Sequence, residues 1–178
     1  MSNLQADIVC FVEHNLAVDQ AKTRYELTKT ITRHLPNARI TMATSNIEFP
    51  SAYKPGGCIQ ITSRTTQGRI TMQGSDELGR WTYVGLATKD KNMIFIITAY
   101  KPCQPSSKPG PLTVHSQQWS MLRAKNIEYP NPRQEFNKDF IAFVEELQSK
   151  SHRIIIVGDF NETRESSTLL QSLYHMGI

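Results

Sequence analysis

Cysteine is scarce in this sequence and forms no recognisable pattern. The three cysteines, Cys10, Cys58 and Cys103, lie far apart and outside any Cys-x-x-Cys or Cys/His spacing. An odd number of separated thiols argues against a disulfide framework and against a zinc site. Cys10 and Cys58 stand within apolar stretches, where a thiol is typical of a small buried side chain. This cysteine usage favours a reducing, intracellular location.

Long apolar runs and tracts of one charge are missing as well. No segment approaches the roughly 20 apolar residues of a membrane-spanning helix, and no basic stretch followed by an apolar run marks an export signal. The sequence therefore predicts no membrane segment, and access to the nucleus is required only if DNA is the target. The net charge of +4 is spread along the chain. It is compatible with a polyanionic partner, although an ordinary solvated surface explains it more simply.

Nothing divides the chain into repeats or low-complexity tracts, and its 178 residues are enough for one domain. Apolar stretches at 6–12, 93–97 and 154–157 predict buried strands, and alternation between residues 40 and 86 predicts a half-buried antiparallel meander. The proline-rich stretch 102–111 predicts a long loop. The order of elements favours an α/β fold in which two sheets pack face to face with helices outside.

Helix signals are clearest in the second half of the chain. Asn131 precedes Pro132, which places an N-cap before a proline at the first helical position. The apolar face of this helix consists of Phe136, Phe140, Phe143, Val144 and Leu147. A polar helix is predicted around residues 115–124 and a last helix through 169–173. Near the start of the chain, Asp19 is predicted to cap the first helix.

The most informative motif is Gly-Asp-Phe-Asn at residues 158–161, directly after four β-branched residues. Those four residues predict a strand buried on both faces. Reactive side chains collect just past such strands, because the sheet holds them rigidly while the loop stays accessible. Asp159 can bind a divalent cation or accept a proton, and Asn161 can donate hydrogen bonds to an oxyanion. An Asx-turn that only ties down the backbone is the alternative.

Two other predicted strands end in reactive groups. Glu13 follows the first strand, and Tyr100 ends the strand that begins at Met93. Together with Asp159 and Asn161 they offer two carboxylates and an amide, which suit Mg²⁺. The phenol of Tyr100 could donate a hydrogen bond to a charge-rich transition state. We expect these side chains to meet at one rim of the core.

At these positions the chain resembles the endonuclease/exonuclease/phosphatase superfamily of Mg²⁺-dependent phosphoesterases. The matching segments, in the family's order, are 7–13, 56–59, 97–102 and 158–161. Within that superfamily, Gln-Gln-Trp-Ser-Met-Leu-Arg from Gln117 and Asn-Pro-Arg from Asn131 resemble retrotransposon-type endonucleases, which usually precede a reverse transcriptase.

The resemblance implies a four-layer α/β sandwich and attack of water on a phosphodiester, with Mg²⁺, or Mn²⁺ in its place, stabilising the developing charge. Glu13 matches the metal-binding glutamate and Tyr100 the tyrosine that contacts the scissile phosphate. Asp159 matches the aspartate that orients or activates the water, and Asn161 the asparagine that holds water and phosphate. The implied partner is nucleic acid, with DNA as the first choice. The implied context is a longer polyprotein that includes a reverse transcriptase.

Further candidates for substrate contact flank these positions. His14 and Asn15 lie beside the expected metal position, and Arg80, like Lys54, could reach a phosphate from a neighbouring loop. For each, an ordinary surface position is the simpler alternative. Trp81 could stack on a base, but core packing is favoured.

The family pattern is not matched at either end. The family's first strand, which ends in a metal-site asparagine, and its C-terminal Ser-Asp-His strand have no counterpart, so we expect residues 1–178 to be a partial domain. In the family, the Ser-Asp-His strand supplies the catalytic histidine, and a general base typically raises the reaction rate about 10²–10⁴-fold. Because this histidine has no counterpart, we expect weak or absent hydrolysis. Two alternatives remain open: a phosphoesterase for RNA or a phospholipid headgroup, and an inactive module that binds nucleic acid or protein.

Overall fold

Two β-sheets packed face to face form the centre of the fold. The computed structural model describes residues 6–48, 52–90, 92–105, 110 and 112–178. One sheet has the order β1-β3-β2 and is antiparallel throughout. Its strands are β1 (Ile8–Val12), β2 (Arg39–Ala43) and β3 (Cys58–Thr62).

The second sheet has four strands in the order in which they occur in the chain. They are β4 (Ile70–Ser75), β5 (Trp81–Ala87), β6 (Met93–Tyr100) and β7 (Arg153–Asp159). β4, β5 and β6 form an antiparallel meander, and β7 joins β6 in parallel. Of the meander predicted between residues 40 and 86, the antiparallel pairing of β4 with β5 is confirmed, whereas β2 and β3 pair with each other in the other sheet. β3 is buried along its whole length because it lies between two strands and faces the second sheet.

Five helices accompany the sheets within the described residues. They are α1 (Ala21–His34), α2 (Arg64–Gln67), α3 (Val114–Ala124), α4 (Pro132–Ser149) and α5 (Thr168–His175). The predicted α/β fold, with two facing sheets and helices outside, is confirmed. None of the described helices has the length and apolar character needed to cross a bilayer. Of the predicted loop 102–111, residues 106–109 and 111 lie outside the described part of the chain.

The main core lies between the four-stranded sheet and the helices α4 and α5. The buried residues of this core are Trp81, Phe95, Ile97, Ala99, Phe136, Phe140, Val144, Leu147, Leu169 and Leu173. The Trp81 ring meets those of Phe136 and Phe140 at centroid distances of 5.8 and 5.3 Å, so Trp81 is a core residue, as favoured. α4 begins as predicted, since the Oδ1 atom of Asn131 accepts hydrogen bonds from the amides of residues 133 and 134.

Two sequence predictions about these elements are wrong. The β-branched residues before Gly158 are not buried on both faces, since Ile155 and Val157 are 51% and 44% exposed. Among the described strands, β7 lies at the edge of its sheet and pairs with β6 alone. Its edge position leaves the face towards the three-stranded sheet partly uncovered. Asp19 does not cap α1, whose N-cap is Gln20. The Asp19 carboxylate instead lies 3.0 Å from the Nζ atom of Lys54, a fully buried cation that requires a counter-charge.

Candidate active site

The ends of β1, β6 and β7 meet at one rim of the sandwich. β6 and β7 run parallel in a register that pairs Tyr100 with Asp159. β1 packs against both of these strands, and Glu13 follows directly after it. Alternation along β6 directs residues 95, 97 and 99 towards α4, so Tyr100 faces the three-stranded sheet and Glu13. The topology therefore brings together the ends of three segments that are far apart in sequence.

A short hydrogen bond joins Tyr100 to Glu13. The phenol of Tyr100, which is 2% exposed, donates to the Oε1 atom of Glu13 at 2.6 Å. Burial, with additional contributions from the Glu13 and Cys103 hydrogen bonds, raises the pKa of Tyr100 well above its ordinary value. The phenol therefore stays protonated at neutral pH and acts as a hydrogen-bond donor.

The position of Glu13 depends on a glycine pair. Gly56 and Gly57 have φ values of +92° and +85°, which favour glycine. In this conformation the Gly57 carbonyl accepts the amide of Glu13 at 2.9 Å, and the Gly56 carbonyl accepts the amide of Asn15 at 3.0 Å. A Cβ atom on Gly57 would lie 2.2 Å from the ring of His14. The glycine pair thus allows the turn after β1 to close tightly, and Glu13 itself adopts φ +54°.

Asn161 is held in place from three sides. Its Nδ2 atom donates to the Lys101 carbonyl at 2.7 Å, and its Oδ1 atom accepts from the Cys103 thiol at 3.1 Å. Its own amide donates to the Oδ1 atom of Asp159 at 2.8 Å. The Asx-turn considered for this motif is therefore present. The Asp159 side chain is nevertheless exposed, so the turn leaves it accessible to water or a cation.

Cys103 connects the two halves of the site. Its Sγ atom lies 3.8 Å from the Tyr100 hydroxyl and 3.1 Å from the Oδ1 atom of Asn161. The structure thus places Glu13, Tyr100, Cys103 and Asn161 in one chain of contacts, with Asp159 attached through its turn. No sequence signal distinguished Cys103 from the other two cysteines, apart from its position three residues after Tyr100.

A buried ionic network supports the loop that carries Asn161. The Glu162 carboxylate binds Lys101 Nζ, lies 2.6 Å from Arg133 and accepts from the Ser167 hydroxyl at 2.6 Å. Arg133 also donates to the carbonyls of Pro102 and, at 3.3 Å, Asn161. Burial would raise the pKa of Glu162, but the hydrogen bonds from Lys101 and Ser167 and the two cationic neighbours lower it. Sequence analysis missed this network, although Glu162 directly follows the motif.

Two of the candidates for substrate contact, Arg80 and Lys54, lie in the interior. Arg80 is 3% exposed and forms ion pairs with Asp76 at 2.7 Å and Asp139 at 2.8 Å, so it cannot reach a substrate from this interior position. Lys54 is likewise buried.

His14 and Asn15 are likewise engaged with the backbone. His14 contacts the Ala43 carbonyl through Nε2 at 3.3 Å and accepts the Leu16 amide at Nδ1. The Oδ1 atom of Asn15 accepts the Gly56 amide at 3.0 Å. These contacts shape the turn after Glu13, and substrate contact by His14 and Asn15 stays a prediction.

Mg²⁺ fits the donor chemistry of this rim. It is usually held by one or two carboxylates, with waters and substrate phosphates completing its shell, rather than by a full protein cage. Glu13 is the carboxylate that the fold presents here, and Asp159 and Asn161 add oxygen donors at the neighbouring strand end. Among the residues that the structure describes, no three or more His, Cys, Asp or Glu side chains are grouped to hold a metal ion.

Comparison with known proteins identifies the fold. No model of a protein family matches the sequence, and no curated protein matches it. Among solved structures, the chain is similar to the beta toxin of Staphylococcus aureus, with a TM-score of 0.52 and 12% identity over 97% of this chain and 58% of the toxin chain. It is also similar to the human Nocturnin catalytic domain with bound sulfate, with a TM-score of 0.53 and 13% identity over 94% of this chain and 55% of that one.

The chain spans a little over half the length of these two structures. Both have the endonuclease/exonuclease/phosphatase fold. At such low identities the likeness concerns the fold. The chain therefore has the α/β-sandwich fold of the endonuclease/exonuclease/phosphatase type.

Proposed function

We propose that this protein hydrolyses phosphodiester bonds in nucleic acid with the help of Mg²⁺, as an endonuclease-type enzyme. The observation that carries the proposal is the meeting of Glu13, Tyr100 and Asn161 at one rim, with Asp159 on the adjoining turn. The site combines a carboxylate, a protonated phenol, a fixed amide and an exposed second carboxylate. These are the groups that phosphodiester hydrolysis requires for binding the phosphate and activating water.

Each side chain has a role that follows from its environment. Glu13 would hold the Mg²⁺ ion (or Mn²⁺), which when bound neutralises charge on the phosphate. Tyr100 keeps its proton, which it donates to Glu13 in this structure, and it would redirect that hydrogen bond to a phosphate oxygen when substrate binds. Asn161 has a second amide hydrogen besides the one directed to the Lys101 carbonyl, and it can donate that hydrogen to the phosphate. Asp159 is exposed and can accept a proton from water.

Nucleic acid is the proposed substrate, with DNA preferred. The retrotransposon-like segments at 117–123 and 131–133 and the net charge of +4 support this choice. The second of these segments contains Arg133, which contacts the carbonyl of Asn161 and so adjoins the site directly. The sulfate bound by Nocturnin supports an anion site on this fold, since sulfate resembles phosphate in shape and charge. In this proposal the working protein also includes a reverse transcriptase.

Nicking of supercoiled plasmid tests the proposal. We expect weak nicking that requires Mg²⁺, stops with a chelator and falls by at least about 100-fold in Asp159→Asn. Asp90→Asn is the matched control, because Asp90 is an exposed aspartate that pairs with Arg153 at the opposite end of β7. Equal nicking by the two variants, or no metal-dependent nicking by the parent protein, would refute the proposal. Salt-sensitive duplex binding without cleavage would favour a nucleic-acid-binding module, and hydrolysis of phospholipids alone would favour a lipid substrate.

A further inference from the structure

A cavity of about 570 Å³ opens directly beside the proposed phosphate position. Glu13 and Tyr100 form part of its wall, so a group attached to a phosphate bound there would enter it. The volume falls within the range of about 300–1,000 Å³ that is typical of small-molecule sites. The cavity therefore has the size and the position to receive the part of the substrate next to the scissile phosphate.

The remaining walls of the cavity are largely apolar. Pro55, Leu112 and Val114 line it together with Tyr53, whose side chain is 61% exposed. An exposed aromatic ring beside an apolar cleft offers a flat surface for another ring, and each base–aromatic stack contributes about 1–3 kcal/mol. The walls thus favour a flat, mainly apolar group.

The charges of the described lining residues favour a neutral occupant. Among its described lining residues there is neither lysine nor arginine, and Glu13, the one acidic residue, is assigned to the metal ion. Burial and the neighbouring Arg133 guanidinium lower the pKa of His115, so its imidazole is neutral at neutral pH. Among the described lining residues, a second phosphate would therefore find no charged partner of opposite sign. An acyl chain would make no use of the polar atoms of Gln104 and His115, whereas the edge of a base would.

We propose that this cavity binds the nucleobase adjacent to the scissile phosphate, and that Tyr53 stacks on that base. This inference rests on the proposed function, because Glu13 and Tyr100 define where the phosphate lies. It adds a specificity-determining residue, Tyr53, and a preference for substrates that carry a base next to the cleaved bond.

Binding of dinucleotides with a single phosphodiester tests this inference. Two dinucleotides are used, one with the fluorescent base 2-aminopurine on the 5′ side of the phosphate and the other with it on the 3′ side. Ca²⁺ replaces Mg²⁺ so that binding is measured without cleavage. Stacking on Tyr53 quenches the fluorescence of one of them. In Tyr53→Ala we expect about 5- to 150-fold weaker binding, whereas Tyr53→Phe keeps the ring and the affinity. Tyr25→Ala is the control, since Tyr25 is 62% exposed and lies in α1, outside the cavity.

A dinucleotide that lacks the base proposed to stack on Tyr53 distinguishes failure of this inference from failure of the proposed function. Tyr53→Ala should leave its affinity, measured by competition, unchanged. The inference is overturned if Tyr53→Ala weakens both ligands equally, if it weakens neither, or if no dinucleotide binds. Loss of binding to phospholipid vesicles in Tyr53→Ala, without an effect on dinucleotides, would overturn it in favour of a lipid. Plasmid nicking by the same preparations reports separately on the proposed function.

Discussion

Replacement of Glu162 by glutamine tests whether the buried ionic network stabilises the site. The Glu162 carboxylate faces Lys101, which is 1% exposed, and Arg133, which is 11% exposed. Glu162→Gln keeps the shape of the side chain but removes its charge. The ammonium of Lys101 would then remain buried without its counter-charge, while the hydroxyl of Ser167 would keep an acceptor.

The expected loss of stability is large for a single substitution. Removal of one partner of a buried ion pair costs about 3–5 kcal/mol. Because Glu162 retains 15% exposure and glutamine still accepts one hydrogen bond, we expect the free energy of unfolding to fall by about 3 kcal/mol. For a chain of this length that corresponds to a melting temperature about 6–12 °C lower.

Urea denaturation of the parent protein and Glu162→Gln at neutral pH measures this difference. Glu77→Gln is the matched control, because Glu77 pairs with Lys125 at 2.9 Å on the surface, where both side chains are at least half exposed. For such a pair we expect a change of about 0–1 kcal/mol. Equal effects of the two substitutions, or a loss below about 1 kcal/mol in Glu162→Gln, would refute the reasoning.

The pH dependence provides a second check on the same substitution. The network lowers the pKa of Glu162 in the folded protein, so its stabilising effect is present above the unfolded pKa, about 4.3. It is lost as the pH falls through the folded pKa. The difference between the parent protein and Glu162→Gln should therefore shrink at acid pH. A difference that stays constant across this range would contradict the assignment of the effect to the charge of Glu162.

Other substitutions test the fold and the site independently. In Gly158→Ala the new Cβ atom would lie 2.1 Å from the Ala99 carbonyl oxygen, and this clash would push β7 away from β6. Thermal unfolding should therefore show that the free energy of unfolding falls by about 1–3 kcal/mol. Gly68→Ala meets open space at φ −63° and should stabilise the protein by about 0.4–1 kcal/mol. Burial lowers the pKa of His14, so stability should decline as the pH falls below about 6.5, and His14→Gln should flatten that decline in urea titrations at several pH values. Tyr100→Phe should slow the proposed hydrolysis by about 10²–10³-fold in the nicking assay while the protein remains folded.

The strand ends of the candidate site could be predicted because local sequence determines them. The apolar run before Glu13 and the strand that ends at Tyr100 have the patterns of strands, and the structure places strands there. Because each reactive group follows an apolar run, these ends were expected to meet at one rim, and the structure brings Glu13, Tyr100 and Asn161 into one chain of contacts. Their catalytic roles remain predictions.

The predictions about the positions of individual charged residues were less successful. Arg80 was a candidate for substrate contact, with a surface position as the simpler alternative, yet it lies in the interior between Asp76 and Asp139. Asp19 was expected to cap a helix, yet it pairs with Lys54. A charged side chain adopts the position that its partners provide, and some of those partners are distant in sequence. Asp139 is 59 residues from Arg80, and Lys54 is 35 residues from Asp19. Sequence spacing carries no information about such distant partners.

The sequence by itself determined which segments become strands and helices, because propensity and periodicity act over a few neighbouring residues. It also determined the turn at Gly56 and Gly57, whose positive φ values favour glycine. The tertiary structure alone decided that β7 is an edge strand, that Glu162 joins Lys101 to Arg133, and that a cavity opens beside Tyr100. Each of these depends on which distant segments pack against one another, and packing is a property of the whole chain.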